Sequence, residues 1–120
     1  MDKNIEKLLI TKNCTIKEAL EIINVGAKGI VLVIDDDHKL IGTITDGDIR
    51  RALLQGLNLE DSPENFIHYN PAVAYSHMDS EEIKDIFIKK AVKQLPIINS
   101  HGEIEKLLDI NELLLPKGKE

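Results

Sequence analysis

Residues 42–56, GTITDGDIRRALLQG, hold the side chains whose types and spacing best suit the binding of a small ligand. Thr45 and Asp48 are three positions apart where a predicted strand meets a predicted helix. Such a pair forms a capping box, in which the hydroxyl and the carboxylate each accept a backbone N–H. The same carboxylate can accept both hydroxyls of a ribose, and bare amides at a helix N-terminus attract phosphate. Capping and the binding of a ribose with a phosphate therefore both stay open.

Neighbouring residues of this segment fit either interpretation. Gly42 lies in the predicted strand, where the missing side chain permits a close backbone approach. Arg50 and Arg51 follow on the helix and would offset phosphate charge, although two adjacent helical arginines are also typical of a solvated face. Gly56 fits the end of the helix.

The other reactive side chains form no catalytic or metal-binding set. Cys14 has no neighbouring base in the sequence that would activate it, so a structural thiol is predicted. The three aspartates at 35–37 are typical of a solvated hairpin tip. Phosphate-loop and nucleophile-elbow motifs are absent. Metal-ligand spacing is also missing among the histidines, which are His38, His68, His77 and His101. We therefore expect no enzyme activity, no metal and no catalytic cofactor.

Composition excludes several further functions. Of the 120 residues, 42% are hydrophobic and 3% are aromatic, and the net charge is −6 at pH 7. Nucleic-acid binders usually carry a basic stripe and aromatic residues that stack on bases, so nucleic acid is excluded as a partner. No apolar run reaches the ~18 residues that span a bilayer, and a basic amphipathic face is missing, so we expect no membrane contact. The polar N-terminus is not a signal peptide, and the single cysteine fits a cytoplasmic location.

The elements that position these residues occur twice along the chain. In each copy a helical period is followed by a β-like run, a polar turn, a second strand and a second helix. The first copy has these elements at about 16–23, 30–34, 39–45 and 47–55, and the second at about 81–88, 95–98, 103–108 and 110–115. A lead before each first helix, at 8–13 and 66–74, would add a short strand.

The two copies are offset by 64 residues before the turns and by 63 after them, so we expect hairpin turns of unequal length. The polar segment 60–65 contains a proline and is predicted to join the copies, which gives a first repeat at 1–62 and a second repeat with a C-terminal linker at 63–120. Because a half of about 60 residues is marginal alone, we expect the copies to pack sheet to sheet with pseudo-two-fold symmetry and a ligand groove between them.

At this point the residues resemble a known family. The run Gly42–Ile49 and the strand Leu95–Asn99 are similar to the two motifs of tandem CBS domains, the modules named after cystathionine β-synthase. The likeness covers roughly residues 5–115. It implies an α+β fold of two β-α-β-β-α repeats that together sense adenosine-type nucleotides.

The resemblance also implies roles for single residues. Asp48 matches the carboxylate that binds ribose, and Thr45 matches the hydroxyl that helps to hold phosphate or ribose. Gly29, Ile30 and Val31 match the strand entry whose backbone reads the base edge and whose side chains sandwich the ring. The lead Asn13-Cys14-Thr15 could line the same cleft, although Thr15 and Glu18 also have the spacing of a capping box.

The second copy departs from the family pattern. In the alignment with the 63-residue offset, Glu105 stands at the position of Gly42, Leu108 at that of Thr45, and Asn111 at that of Asp48. A charged residue, an apolar residue and an amide in these places would not hold a nucleotide. We therefore expect one nucleotide site, built on the first copy.

Paired CBS domains imply a regulatory function. We expect a sensor of an adenine nucleotide of the AMP, ADP or ATP type that controls an attached enzyme, with the catalytic domain beyond the C-terminus. The run Thr45–Leu53 resembles CBS pairs attached to sugar-nucleotide nucleotidyltransferases and to arabinose-5-phosphate isomerases, and an N-terminal pair favours the nucleotidyltransferase. A homodimer is also implied. The alternative is a ligand-free structural or dimerisation module.

Overall fold

The computed structural model describes residues 3–114 and has the predicted α+β fold. The helices are α1 (Lys3–Glu6), α2 (Ile16–Gly26), α3 (Asp46–Leu54), α4 (Ser80–Lys90) and α5 (Ile110–Leu114). The strands are β1 (Leu9–Thr11), β2 (Ile30–Ile34), β3 (Leu40–Thr45), β4 (His68–Tyr69), β5 (Ala74–Tyr75), β6 (Gln94–Ile98) and β7 (Ile104–Asp109). A 3₁₀ turn covers Glu64–Phe66. The chain forms two compact units that divide after Pro71.

The first unit is a four-stranded sheet with one face covered by α2 and α3. The strand order is β1-β2-β3-β4, with β1 parallel to β2 and the other pairs antiparallel. All five residues of β2 are buried, as expected for the apolar run IVLVI in a sheet interior. The residues that form the core beneath the helices are Ile16, Ala19, Val31, Val33, Ile44, Ile49, Ala52 and Ile67.

The second unit repeats this arrangement with one strand fewer. Its order is β5-β6-β7, with β5 parallel to β6 and β7 antiparallel. Phe87 on α4 is fully buried against the sheet. The other buried members of this core are Ala74, Leu95, Ile97 and Leu108. Because no strand pairs with the outer edge of β7 among the described residues, that edge differs from the edge of β3, which β4 covers.

The two helices that begin the repeats are capped in the same way. Thr15 and Glu18 form a capping box at the start of α2, and Asp79 and Glu82 form one at the start of α4. Each helix ends on an alanine in the left-handed conformation. The spacing of cap, helix and end is identical in both repeats, and each residue of α4 lies 64 positions after its counterpart in α2.

The predicted change of offset at the turns is wrong, because the hairpins have equal length. The N–H of Asp35 donates to the carbonyl of Lys39, and the N–H of Asn99 donates to the carbonyl of Glu103. Beyond the turn, β2 pairs Ile30 with Thr45, and β6 pairs Gln94 with Asp109. The offset is therefore 64 on both sides of the turn. The 63-residue offset is wrong by one residue because it pairs the junction residues of the two repeats by residue type. The alternation of buried positions along the strands gives the offset of 64.

Two further features differ from the sequence expectations. Helix α1 was not expected, because four residues are too short to give a helical period. The predicted lead at 66–74 yields two strands in different sheets: β4 pairs with β3 in the first unit, and β5 pairs with β6 in the second. The compact units consequently divide after Pro71, whereas the sequence places the repeat boundary after residue 62.

Candidate functional site

The junction between β3 and α3 is a complete capping box. Thr45 is the N-cap of α3, and its hydroxyl oxygen accepts the N–H of Asp48 at 3.3 Å. The Asp48 carboxylate accepts the N–H of Thr45 at 2.8 Å. The capping interpretation of this pair is therefore confirmed. The ligand-binding interpretation depends on which acceptors and donors the capping box leaves available.

The carboxylate of Asp48 is only 13% exposed and both of its oxygens have partners. Its Oδ2 atom accepts from the Thr45 N–H and, at 3.0 Å, from the Thr45 hydroxyl. Its Oδ1 atom is ion-paired with the guanidinium of Arg51. Since the Thr45 hydroxyl gives its proton to Asp48, it can only accept a hydrogen bond from a ligand unless that contact breaks.

Gly29 and Ile30 lie at the same end of the sheet as this junction. Ile30 is the strand partner of Thr45, and the carbonyl of Gly29 accepts the N–H of Asp46 at 3.1 Å. Gly29 has φ of +71°, a conformation that glycine adopts without steric cost. The structure thus brings together four of the five predicted site residues, Gly29, Ile30, Thr45 and Asp48, at one end of the sheet, where β2 begins and β3 ends.

Val31 is the fifth predicted residue, and its side chain points away from this group of residues. It is fully buried in the core beneath α2 and α3. The expectation that this side chain sandwiches a ligand ring is therefore wrong, because the helices of its own repeat already cover it. Ile30 faces the opposite side of the sheet, as the alternation of a strand requires. Only the backbone of Val31 remains a candidate contact.

The lead Asn13-Cys14-Thr15 does not join this group within the repeat. Thr11 pairs in parallel with Ile34, at the far end of β2 from Ile30. Asn13 and Cys14 instead line a separate groove of about 510 Å³ between β1 and α2, together with Ile10 and Val25. The predicted capping box of Thr15 and Glu18 is confirmed.

Cys14 is a buried thiol beside this groove. Burial raises the pKa of Cys14, and the nearby carboxylate of Glu18 raises it further. Both effects disfavour the thiolate, which is the nucleophilic form. The predicted structural role of Cys14 agrees with this environment.

Gly42 permits a close backbone approach, and the approaching backbone is that of β4. A Cβ at this position would lie 2.6 Å from Cγ2 of Ile67 and 2.9 Å from the carbonyl oxygen of His68. Gly42 pairs directly with Tyr69 in the sheet. This glycine is therefore explained by the fourth strand of the sheet without any ligand.

The second repeat has different residues at the junction from those the sequence alignment placed there. With the offset of 64, the counterpart of Thr45 is Asp109 and the counterpart of Asp48 is Glu112. The Glu112 carboxylate accepts the N–H of Asp109 at 2.8 Å, which matches the bond that Asp48 makes with Thr45. Leu108, which the alignment set opposite Thr45, is a core residue. The second junction therefore keeps a carboxylate and loses the hydroxyl.

The two arginines of α3 have different partners, which the sequence did not distinguish. Arg50 pairs with Asp46 at 2.8 Å, and both side chains are more than half exposed. Arg51 turns back along the helix to Asp48, and its Nη1 atom would lie 3.5 Å from a Cβ placed on Gly47. The spacing carries this signal, because positions three and four apart are neighbours on one helical face.

Two other classes of feature are missing from residues 3–114. No group of three His, Cys, Asp or Glu side chains in this range is placed to hold a metal ion. No helix within it has the length and apolar character needed to cross a bilayer.

Comparison with known proteins places this geometry in a family. Residues 1–55 match the family model of the CBS domain. A CBS domain protein from Pyrobaculum aerophilum, solved in complex with AMP, superposes with a TM-score of 0.81 over 97% of this chain and 93% of that one, at 16% identity. The first repeat is a CBS domain. The second unit has the same topology, so the chain has the fold of a CBS pair.

Curated relatives of this CBS pair are longer proteins. Inosine-5′-monophosphate dehydrogenase of Aquifex aeolicus is 28% identical over 94% of this chain, which covers 23% of the enzyme. A probable arabinose 5-phosphate isomerase of Haemophilus influenzae is 27% identical over 92% of this chain, which covers 33% of that protein. The chain thus spans a third or less of the length of these relatives.

Proposed function

We propose that this CBS pair is a regulatory module that binds an adenine nucleotide and controls the activity or assembly of an attached enzyme. The observation that carries the proposal is the group of residues at one end of the sheet, Gly29, Ile30, Thr45 and Asp48. There a poorly exposed carboxylate lies at the N-terminus of α3, beside the strand entry. A carboxylate suits a ribose diol, and the N-terminal end of a helix suits a phosphate. The AMP complex of the Pyrobaculum aerophilum relative supports the choice of an adenine nucleotide.

We assign the nucleotide to the first repeat. The counterpart junction carries Asp109 and Glu112, two carboxylates without a hydroxyl. The first junction also has two carboxylates, Asp46 and Asp48, but each is ion-paired with an arginine of α3. The positions 64 residues after these arginines are both leucines, so no arginine offsets the two negative charges that oppose a phosphate at the second junction. The prediction of a single nucleotide site is thus retained for a different reason from the one that the sequence alignment supplied.

The attached enzyme is proposed to act on a sugar phosphate or a nucleotide. The relatives include an arabinose 5-phosphate isomerase and an inosine-5′-monophosphate dehydrogenase, both of which handle such substrates by name. The sugar-nucleotide nucleotidyltransferase stays a prediction from the run Thr45–Leu53. Regulation requires that the ligand favours one arrangement of the protein over another, with a coupling of about 1–3 kcal/mol.

The test is nucleotide binding by the wild type and by two variants that break equivalent capping boxes. Asp48→Ala and Glu18→Ala each remove the carboxylate of a box in the first repeat, at the start of α3 and of α2. Each loses about 0.5–2 kcal/mol of stability. Only Asp48→Ala should also weaken AMP binding, by about 100-fold, because two charge-assisted hydrogen bonds to the ribose disappear. Isothermal titration with adenosine, AMP, ADP, ATP, GMP and CMP measures this and ranks the ligands.

Equal AMP affinity in the two variants would show that the site lies elsewhere. No binding of any of these ligands by the wild type would favour the second candidate, a ligand-free dimerisation module. A specific observation supports that candidate: Val25 on α2 and Leu54 on α3 are 71% and 80% exposed. Helices α2 and α3 contact each other, so these apolar side chains lie on one helical layer. We propose that this layer forms a homodimer, which Val25→Glu with Leu54→Glu would convert to a monomer in analytical ultracentrifugation.

A further inference from the structure

We infer that Arg51 is a specificity-determining residue that makes this site favour phosphorylated nucleotides over nucleosides. The inference rests on the proposed function, because it concerns the ligand of the Asp48 site. Arg51 forms an ion pair with Asp48 when no ligand is bound, and its guanidinium moves to the phosphate when a nucleotide enters.

The first step is the number of acceptors that Asp48 has left. An ionised carboxylate offers about four lone-pair positions on its two oxygens. Thr45 fills two of them on Oδ2, through its N–H at 2.8 Å and its hydroxyl at 3.0 Å. Arg51 takes one position on Oδ1. A diol needs two acceptors, so a ribose gains its second contact only when the guanidinium leaves.

The second step is where the guanidinium goes. The Arg51 side chain is 61% exposed, so releasing it exposes no buried charge. It already turns back toward the first turn of α3, close to Gly47. A phosphate attracted to this helix N-terminus would lie within reach of the Arg51 guanidinium, which has just lost its ion pair with Asp48. Since a guanidinium binds phosphate in a two-pronged manner, the displaced arginine regains its hydrogen bonds from the ligand.

The third step is the difference between two ligands. Adenosine supplies the diol that displaces Arg51 and offers the released guanidinium no anion. AMP supplies both groups, so the ion pair that is lost is replaced by another. The Arg51–Asp48 pair therefore penalises the nucleoside and not the nucleotide, and selectivity arises without a change in the base or ribose contacts.

Arg50 is a matched control on the same helix. It is exposed to the same extent and carries the same charge, but it pairs with Asp46 four residues earlier. Removing it changes the net charge and the long-range field just as removing Arg51 does. Any difference between the two variants therefore reports the contact with Asp48.

The experiment measures the affinities of adenosine and AMP for the wild type, Arg51→Ala, Arg51→Lys and Arg50→Ala by isothermal titration. In Arg51→Ala, adenosine should bind about two- to fivefold more tightly, because an exposed ion pair no longer has to be broken. AMP should bind about fivefold more weakly, because a charge-assisted contact to phosphate is lost. The preference for AMP therefore falls about 10- to 25-fold in total. Arg51→Lys should fall between these values, and Arg50→Ala should keep the wild-type preference within about twofold.

The outcomes separate the inference from the proposed function. If the wild type binds AMP, Asp48→Ala weakens that binding about 100-fold, and Arg51→Ala keeps the same preference as Arg50→Ala, the inference is wrong and the site stands. If the wild type binds none of adenosine, AMP, ADP and ATP, the proposed function is wrong and the inference fails with it. A reduced AMP preference that is confined to the Arg51 variants supports both. Circular dichroism melts of all five proteins, including Asp48→Ala, exclude unfolding as the cause of a lost signal.

Discussion

At residue 45 of the first repeat and residue 109 of the second, a strand ends and a helix begins on matching hydrogen bonds. The N–H of the cap residue donates to a carboxylate three positions later, at 2.8 Å in both repeats. The N–H of the next residue donates to the carbonyl of the residue just before the first strand of the hairpin, which is Gly29 before β2 and Lys93 before β6. The backbone thus needs only an acceptor at the cap and a carboxylate in the first turn.

The differences between these junctions show what capping does not require. An aspartate at 109 serves as the cap as well as a threonine at 45 does, so the fold does not demand the hydroxyl. The first turn likewise accepts either Asp48 or Glu112. The hydroxyl, the positive φ of Gly29 and the pairing of Arg51 with Asp48 occur together only in the first repeat among the described residues. This combination is where a ligand site should be sought.

The largest effect is expected in the cores of the two repeats. Phe87 on α4 is fully buried, whereas its counterpart 64 residues earlier, Ile23 on α2, is half-buried. Phe87→Ala should lower the free energy of unfolding by about 3–5 kcal/mol, because it leaves a large cavity beneath α4. Ile23→Ala should cost about 1–2 kcal/mol, because part of its side chain is already in water. Urea denaturation measures both, and equal losses would contradict the view that the difference in burial sets the cost of truncating these two side chains.

The second effect is expected at the edges of the two sheets. Gly42 faces β4 so closely that a Cβ would meet the backbone of His68, whereas its counterpart Lys106 is exposed on an edge strand. Gly42→Ala should destabilise the protein by about 1–3 kcal/mol through overpacking. Lys106→Ala should change stability by less than about 0.5 kcal/mol. Chemical denaturation checks the pair, and a neutral Gly42→Ala would mean that β4 moves aside without cost.

Much of this arrangement was predictable because the signals are local. Thr15 with Glu18 gave the start of α2, and the apolar run at 30–34 gave β2. The junction at Thr45 and Asp48 could be located from its spacing alone. These features depend on residues a few positions apart, so no tertiary information is needed to find them.

The remainder depends on contacts that spacing does not reveal. The assignment of Leu108 and Asn111 to the second junction failed because turn length is set by the hairpin bond from Asn99 to Glu103. The burial of Val31 beneath the helices follows from which face of β2 they cover. Each of these is decided in three dimensions.

A smaller effect is expected at the two hairpin turns. His38 has φ of +64°, and its counterpart in the second turn is Gly102 with φ of +84°. The left-handed conformation of a histidine costs about 1–2 kcal/mol of stability. Replacement by glycine removes this cost, but part of the gain is lost because glycine gives the unfolded chain more conformational freedom. His38→Gly should therefore stabilise the protein by about 0.5–1 kcal/mol. A thermal melt tests this, with His101→Gly, one position before Gly102, as a control that should not stabilise.

The smallest effect compares the first residues of the same turns, Asp35 and Asn99. The Oδ1 atom of Asp35 accepts the N–H groups of Asp37 and Lys39 at 2.8 and 3.0 Å, and Oδ1 of Asn99 accepts the equivalent pair at the same distances. The hydrogen bond from the Lys39 N–H is the main reason why the pKa of Asp35 is below its usual value. A depressed pKa in the folded state means that the stabilisation is present above the unfolded pKa and is lost as the pH falls through the folded one.

Acid should therefore weaken the turn bonds to Asp35 and leave the equivalent N–H bonds to the Asn99 amide oxygen unchanged, since an amide does not titrate. Asp35→Asn should reduce the loss of stability between pH 7 and pH 3, because it gives the first turn the chemistry of the second. Asp36→Asn removes the same charge one residue later without removing the acceptor of the turn, so it should lose stability with acid as the wild type does. Urea midpoints at the two pH values measure the difference. An identical loss in Asp35→Asn and Asp36→Asn would mean that net charge governs the acid response and that the hydrogen bonds of the turn do not.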